Sequence, residues 1–323
     1  MSEIDKAVQI LRAGGLVAFP TETVYGLGAD ATNASAINRI FEAKGRPSTN
    51  PLIVHVADIA TAKKFAANWP QSAQSLAEKF WPGPLTLVLL KSPAIVDAVT
   101  AGRNTVGLRV PNHPLALELL KAFNGPLAAP SANRSTRVSP TTADHVKKGL
   151  SVDFVLDGGP CAVGIESTVL DLSQKTPRIL RPGAITREQI EAIIGKVSTS
   201  TIVSEPTPPA SSPGQQEIHY APKAFAYRFE PAEFSQVLSW CNHNPGLRGI
   251  LNINQHEQAH RALSVQMPPA PADYARSLYS MLRELDEKQM RVIFIEMPPD
   301  APEWLAIRDR LVRASRPLRA LPR

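Results

Sequence analysis

Residues 16–19 read Leu16-Val-Ala-Phe19, and residues 20–28 read Pro20-Thr-Glu-Thr-Val-Tyr-Gly-Leu-Gly28. The first four form a short apolar strand, and Pro20 stops it because its ring removes the backbone donor a ladder needs. The nine that follow carry no helical or strand period. They combine hydroxyls, one carboxylate and two glycines directly after a strand, the composition of a ligand-facing loop at a sheet edge. Working towards the N-terminus, Ser2 to Asp5 reads as a capping box with Asp5 in place of Glu at the third position. A helix then runs to about Ala13 and ends at Gly14-Gly15. Towards the C-terminus, Ile37, Ile40 and Phe41 recur at helical spacing, so a helix spans about 35–43, closed by Lys44-Gly-Arg-Pro47.

The alternation continues. Strands are predicted at 51–56, 85–90, 105–110, 127–129, 153–156, 167–171 and 178–181, and helices near 58–67, 71–80, 113–123 and 186–194. Strands alternating with helices argue for an α/β fold over residues 1–195. The pairing sense of the strands is not readable at this level. Residues 196–222 change to Ser, Thr and Pro, the composition of a linker. Within it, Ser212-Pro-Gly214 and His219-Tyr220-Ala-Pro222 carry side chains a plain tether does not need. A second, smaller α/β domain is expected over 223–323. Its strands are near 224–229, 249–254, 261–266 and 292–296. One apolar helical stripe runs through Tyr274, Leu278, Met281, Leu282 and Leu285, and another through Trp304, Ile307 and Leu311.

The chain has 323 residues, which suits two domains rather than one core. A net charge of +6 favours anionic partners without choosing among nucleotides, phosphates and RNA. The two cysteines, Cys161 and Cys241, exclude a disulfide framework and point to a reducing cytoplasm. No signal-peptide apolar region opens the sequence, and no apolar run approaches the ~20 residues of a membrane span.

Neither a G-x-x-x-x-G-K-[ST] loop nor a G-x-G-x-x-G turn is present, so a nucleotide would be held without those cradles. His256-Glu-Gln-Ala-His260 matches the H-E-x-x-H zinc signature, but it falls between two short strands and lacks an evident third ligand. It is read as a surface segment, with no metal ligands assigned. The stronger constellation lies in the first domain: Lys44-x-Arg46, Asn50, His55, Thr105, Arg109, Ser131-x-Asn133 and Arg181. These supply donors suited to phosphate and carboxylate oxygens. Arg109 sits on an apolar strand, where an unpaired guanidinium is costly, so it requires a protein carboxylate or an anionic substrate. Individually, Lys44 and Arg46 also fit a solvated helix C-terminus, Ser131 and Asn133 a turn cap, and His55 a satisfied core histidine. Their joint occurrence argues for a binding site.

Phe19-Pro-Thr-Glu-Thr-Val-Tyr-Gly-Leu-Gly28, Lys44-Gly-Arg-Pro47, Asn50-Pro-Leu-Ile-Val-His55, Pro130-Ser-Ala-Asn133, Glu166-Ser-Thr-Val169 and Arg181-Pro-Gly183 closely resemble the YrdC-like domain. The resemblance covers roughly residues 4–194. With the linker motifs and a Rossmann-like C-terminal domain, the chain resembles the two-domain form of the threonylcarbamoyl-AMP synthase family. That resemblance implies a twisted mixed sheet with helices. It also implies a nucleotidyltransferase that condenses L-threonine, bicarbonate and ATP to threonylcarbamoyl-AMP and pyrophosphate. The product would pass to a tRNA threonylcarbamoyl transferase complex for modification of adenosine 37.

By the same resemblance, Lys44, Arg46, Asn50, Thr105, Ser131, Asn133, Ser139, Arg181 and Tyr220 contact ATP. Thr23, His55, Arg109, Ala129 and Ser167 contact L-threonine. Lys44 and Arg46 are the expected catalytic pair, stabilising charge on the phosphates. Magnesium is expected with ATP, held mainly by phosphates and water, with Glu22 and Glu166 the nearby carboxylates. The linker is read as a gate that carries Tyr220 over the nucleotide. The competing reading is a double-stranded RNA or tRNA-binding module without turnover; the chain lacks a Lys/Arg-rich run and an RNP-type aromatic motif. Carbamoyl transfer onto another protein shares the domain type but normally adds zinc-finger-like cysteines.

Overall fold

The computed structural model describes residues 1–199, 220–257, 259 and 262–321. The chain divides into two compact units, Met1–Ser135 with Ser139–Gln216 and Thr136–Val138 with Glu217–Arg323. Ser212-Pro-Gly214, His219 and His260 lie outside the described residues.

In the first unit the described strands are β1 (Val17–Phe19), β2 (Gly26–Asp30), β3 (Ile53–His55), β4 (Leu85–Leu90), β5 (Thr105–Arg109), β6 (Leu127–Ala128), β7 (Phe154–Val155), β8 (Thr168–Asp171), β9 (Arg178–Arg181) and β10 (Ser198–Thr199). They form one sheet in the order β10-β9-β8-β4-β5-β3-β6-β2-β1-β7. The sheet is mixed: β3 and β5 run parallel, as do β4 and β8, while β4 with β5, β8 with β9 and β2 with β6 are antiparallel.

Local chemistry accounts for the elements around the site. Ser2 Oγ accepts from Asp5 N, and the Asp5 carboxylate accepts from Ser2 N at 2.9 Å, closing the expected capping box. The helix Ala34–Lys44 starts where Asn33 Oδ1 accepts from Ala36 N. It ends at Gly45, whose φ of 58° lies in the left-handed region that glycine enters without a Cβ penalty.

One expectation is corrected. The stretch 20–28 is not irregular throughout, because Gly26–Asp30 is a strand, paired antiparallel with β1. Its residues are buried on both faces through Ala29, so it has no alternation to read. The glycines make room: a Cβ on Gly28 would lie 2.8 Å from Phe19 Cε1 and 3.2 Å from Val17 O. The short helices Asp97–Thr100 and Ala143–Gly149 also escaped the apolar pattern, which they are too brief to express.

One face of the sheet packs a large core that includes Ala18, Leu27, Val54, Leu87 and Leu108, with Ile37, Ile40 and Leu76 from covering helices. The other face is covered at the β1 end by Leu11, Leu119, Leu120 and Phe123. Over the middle of the sheet that second face carries the small cluster Ile53, Val88, Val169 and Leu180, and beside it the polar residues.

In the second unit, β11 (Phe225–Phe229), β12 (Arg248–Asn252), β13 (Leu263–Gln266), β14 (Val292–Glu296) and β15 (Arg316–Pro317) form a wholly parallel sheet. Its order is β13-β12-β14-β11-β15, with the helices Phe234–His243, Pro271–Glu287 and Leu305–Ala314 among its connections. The first of these helices and β15 are additions to the elements legible in the sequence.

Candidate active site

Strand register decides which polar side chains share a surface. His55 on β3 is level with Arg109 on β5, and Ile53 with Gly107. Gly107 is level with Val88 on β4, and Val169 on β8 pairs with both Thr86 and Arg181. Side chains two apart on a strand point the same way. His55, Thr86, Thr105 and Arg109 therefore stand on the second face, opposite the large core.

Lys44 ends its helix yet is 2% exposed, so it is not a solvated terminal charge. Its Nζ donates to Ser131 O and Asn133 O, each at 2.5 Å, and joins the two motif pairs physically. The Ser131 turn is held in place by the bridge from Ser131 to Gly26 and by Ala132 N donating to Tyr25 O. Burial first, and then the Arg46 guanidinium, lower the Lys44 pKa well below the ordinary lysine value. Arg46 is buried and donates to Pro51 O at 3.2 Å, next to buried Asn50.

Arg109, 4% exposed, resolves the choice its sequence position posed. Its Nη2 lies 2.8 Å from Glu22 Oε2 and donates to Thr23 Oγ1 at 3.0 Å, and its Nε donates to Gly83 O. His55 beside it is buried, and among the described residues its Nδ1 has no hydrogen-bond partner. Burial, and next the charge of Arg109, hold the imidazole at a pKa of about 3, so it is neutral at physiological pH. Its ring stands edge-on to Phe19 at 5.9 Å.

Arg181 Nε donates to Ser167 O and Nη2 to Ser167 Oγ, both at 3.1 Å, and Ser167 Oγ lies 2.8 Å from Thr86 Oγ1. Ser139 donates to Glu166 Oε1 at 2.6 Å. Ala129 is buried, its N donating to Ile53 O.

One sequence candidate is not drawn into these contacts. Thr105 starts the strand that Arg109 ends, about 13 Å away at ~3.3 Å per residue. It makes no side-chain hydrogen bond to the other candidates. Tyr220 belongs to the second unit, where it is buried, stacked on Tyr279 at 5.9 Å and lies under the Arg310 guanidinium. Among the described residues no group of three His, Cys, Asp or Glu gathers as a metal cage. His256 instead meets Glu296 Oε1 at 2.7 Å and stacks on Phe234, and residues 255–257 are not helical.

The family model described as Telomere recombination, which groups Sua5, YciO and YrdC, matches residues 9–183. The model for the threonylcarbamoyl-AMP synthase C-terminal domain matches residues 185–316. The threonylcarbamoyl-AMP synthase of Bacillus subtilis is 42% identical over 321 residues, covering 97% of this chain and 93% of that protein. The chain belongs to the threonylcarbamoyl-AMP synthase family. The Pyrococcus abyssi family member is 38% identical, covering 96% of this chain and 93% of its own length. A crystal structure of P. abyssi Sua5 complexed with L-threonine matches with a TM-score of 0.90 at 38% identity, over 97% of this chain and 94% of that one.

Within this threonylcarbamoyl-AMP synthase fold, sequence reading missed Thr86, Thr21 and the commitment of Glu22 to Arg109. A threonine in an apolar strand reads as an ordinary β-branched strand former. Only the strand order brings it to Ser167, 81 residues away.

Proposed function

We propose that this chain condenses L-threonine, bicarbonate and ATP into threonylcarbamoyl-AMP with release of pyrophosphate. The observation that carries the reading is the set of four buried cations in one unit, Lys44, Arg46, Arg109 and Arg181. Buried positive charge is costly, and a polyanionic substrate relieves the cost. The family membership and the L-threonine complex of the P. abyssi relative support the identity of that substrate.

Zwitterionic threonine and bicarbonate give the N-carboxy-threonine dianion: the N–C bond forms as a bicarbonate C–O bond breaks, with release of water and a proton. Its carbamate oxygen attacks the α-phosphorus of ATP, an α-phosphate bond forms, and pyrophosphate leaves. No covalent enzyme intermediate is needed, so catalysis comes from positioning and charge neutralisation. Lys44 and Arg46 stabilise charge on the phosphates; Asn50, Thr105, Ser131, Asn133, Ser139 and Arg181 complete the nucleotide contacts. Arg109 clamps the amino-acid carboxylate. His55, held neutral, and Ser167 position the rest of the amino acid, with Thr23 and the Ala129 backbone. Magnesium supplied with ATP would neutralise phosphate charge, and Glu22 and Glu166 are the nearby carboxylates, the first facing Arg109 and the second accepting from Ser139. The product serves a tRNA threonylcarbamoyl transferase. A passive RNA-binding module is disfavoured because these cations are buried rather than displayed along a surface.

The test is pyrophosphate release from ATP and bicarbonate across the twenty amino acids. Release that depends on L-threonine supports the reading; release with none of them, from folded protein, refutes it.

A further inference from the structure

Glu22 is 5% exposed, and among the described residues neither carboxylate oxygen accepts a hydrogen bond. Oε2 faces Arg109 Nη2 at 2.8 Å as an ion pair, yet the lone pairs stay unfilled. A buried carboxylate ordinarily accepts several hydrogen bonds, since water is not there to supply them. The backbone leaves Glu22 little room to turn away. Val163 N donates to Glu22 O at 2.7 Å and Gly164 N to Thr23 O at 3.1 Å.

The neighbouring hydroxyls have a fixed polarity. Thr21 Oγ1 donates to Val24 O at 2.7 Å, so in its 2.8 Å contact with Thr23 Oγ1 it can only accept. Thr23 therefore donates to Thr21 and accepts from Arg109. Its one proton is spent, and what remains is a lone pair. Glu22 and Thr23 thus offer acceptors alone, beside the guanidinium of Arg109. A ligand complementary to this arrangement carries a carboxylate for Arg109 and an N–H donor, positively charged, next to it. An amino-acid zwitterion has that pattern on one carbon.

Resting on the threonine-using reading above, the geometry points to Glu22 as the residue that holds the α-ammonium of the amino-acid substrate. The Glu22–Arg109 pair opens to the zwitterion, each protein charge taking the opposite charge of the ligand. After carboxylation the nitrogen keeps one N–H, so the same contact orients the carbamate for attack on phosphorus. Glu22 then separates amino acids from hydroxy acids of the same shape.

The experiment compares calorimetric binding of L-threonine and of (3R)-3-hydroxybutanoate, its analogue without the amine, to the full chain and to Glu22→Gln. The native chain is expected to prefer L-threonine. The substitution should weaken L-threonine at least tenfold and should not weaken 3-hydroxybutanoate, because Arg109 no longer leaves a buried carboxylate uncompensated when it takes that ligand, so the preference collapses. A general structural defect would weaken both ligands equally, and that result overturns the assignment. Glu22→Asp, which keeps the charge opposite Arg109, guards against misfolding: it should retain the preference, and loss of preference there also overturns it. A native chain that ignores L-threonine altogether removes the proposed function itself. That outcome is distinct from a chain that binds L-threonine but owes nothing to Glu22.

Discussion

Replacing Lys44 by methionine removes one charge while keeping the length and most of the volume of the side chain. In the structure Nζ is buried and gives one hydrogen bond to each of Ser131 O and Asn133 O. Two carbonyls that lose a donor cost about 1–3 kcal/mol each if they stay buried. Against this, the buried amine no longer has to be desolvated, the effect that lowers its pKa. The net loss of stability should be about 1–3 kcal/mol, within the ~5–15 kcal/mol that holds a domain together. The effect on chemistry should be larger. A preorganised donor aimed at developing charge is worth about 3–4 kcal/mol, or roughly 10²–10³-fold in turnover. The assay is threonine-dependent pyrophosphate release, read beside a thermal melt of the same sample. Turnover within about threefold of the unsubstituted chain would refute the role given to Lys44. So would a loss explained entirely by the unfolded fraction at the assay temperature.

Other outcomes follow from the same contacts. Arg109→Met leaves Glu22 buried without its counter-charge and should destabilise the first unit by about 3–5 kcal/mol. The double variant with Glu22→Gln should recover most of that loss in a denaturant titration, and additive losses would argue against the pair. Gly28→Ala drives a methyl to 2.8 Å from Phe19 Cε1, and chemical denaturation should report about 1–3 kcal/mol lost. His55 makes a pH-dependent contribution. Its unfolded imidazole protonates as pH falls through 6.5, while the folded one stays neutral until about 3. Its stabilising share is complete above pH 6.5 and is lost as pH drops towards 3. His55→Gln should flatten the stability profile across that window, and an unchanged slope would show that His55 protonates freely in the folded chain.

Much of this molecule was legible along the chain. Ser2 and Asp5 announced their helix because a capping box is a contact between residues three apart. The strand Leu85–Leu90 and the helix Gln71–Phe80 were readable because apolar spacing within one element reports its own buried face. The motif residues Lys44, Arg46, Ser131 and Asn133 could be singled out, since donors for anions are a matter of side-chain type. Strand Gly26–Asp30 was hidden because burial on both faces erases alternation.

What tertiary structure alone decided is who meets whom. That Lys44 binds the carbonyls of Ser131 and Asn133, and that Ser167 finds Thr86, depends on a strand order in which neighbours in space are far apart in sequence. Sequence showed that Arg109 required an anion. Only the fold supplied Glu22, because the loop carrying Glu22 and the end of β5 are brought together by a mixed sheet whose pairing sense leaves no trace in local periodicity.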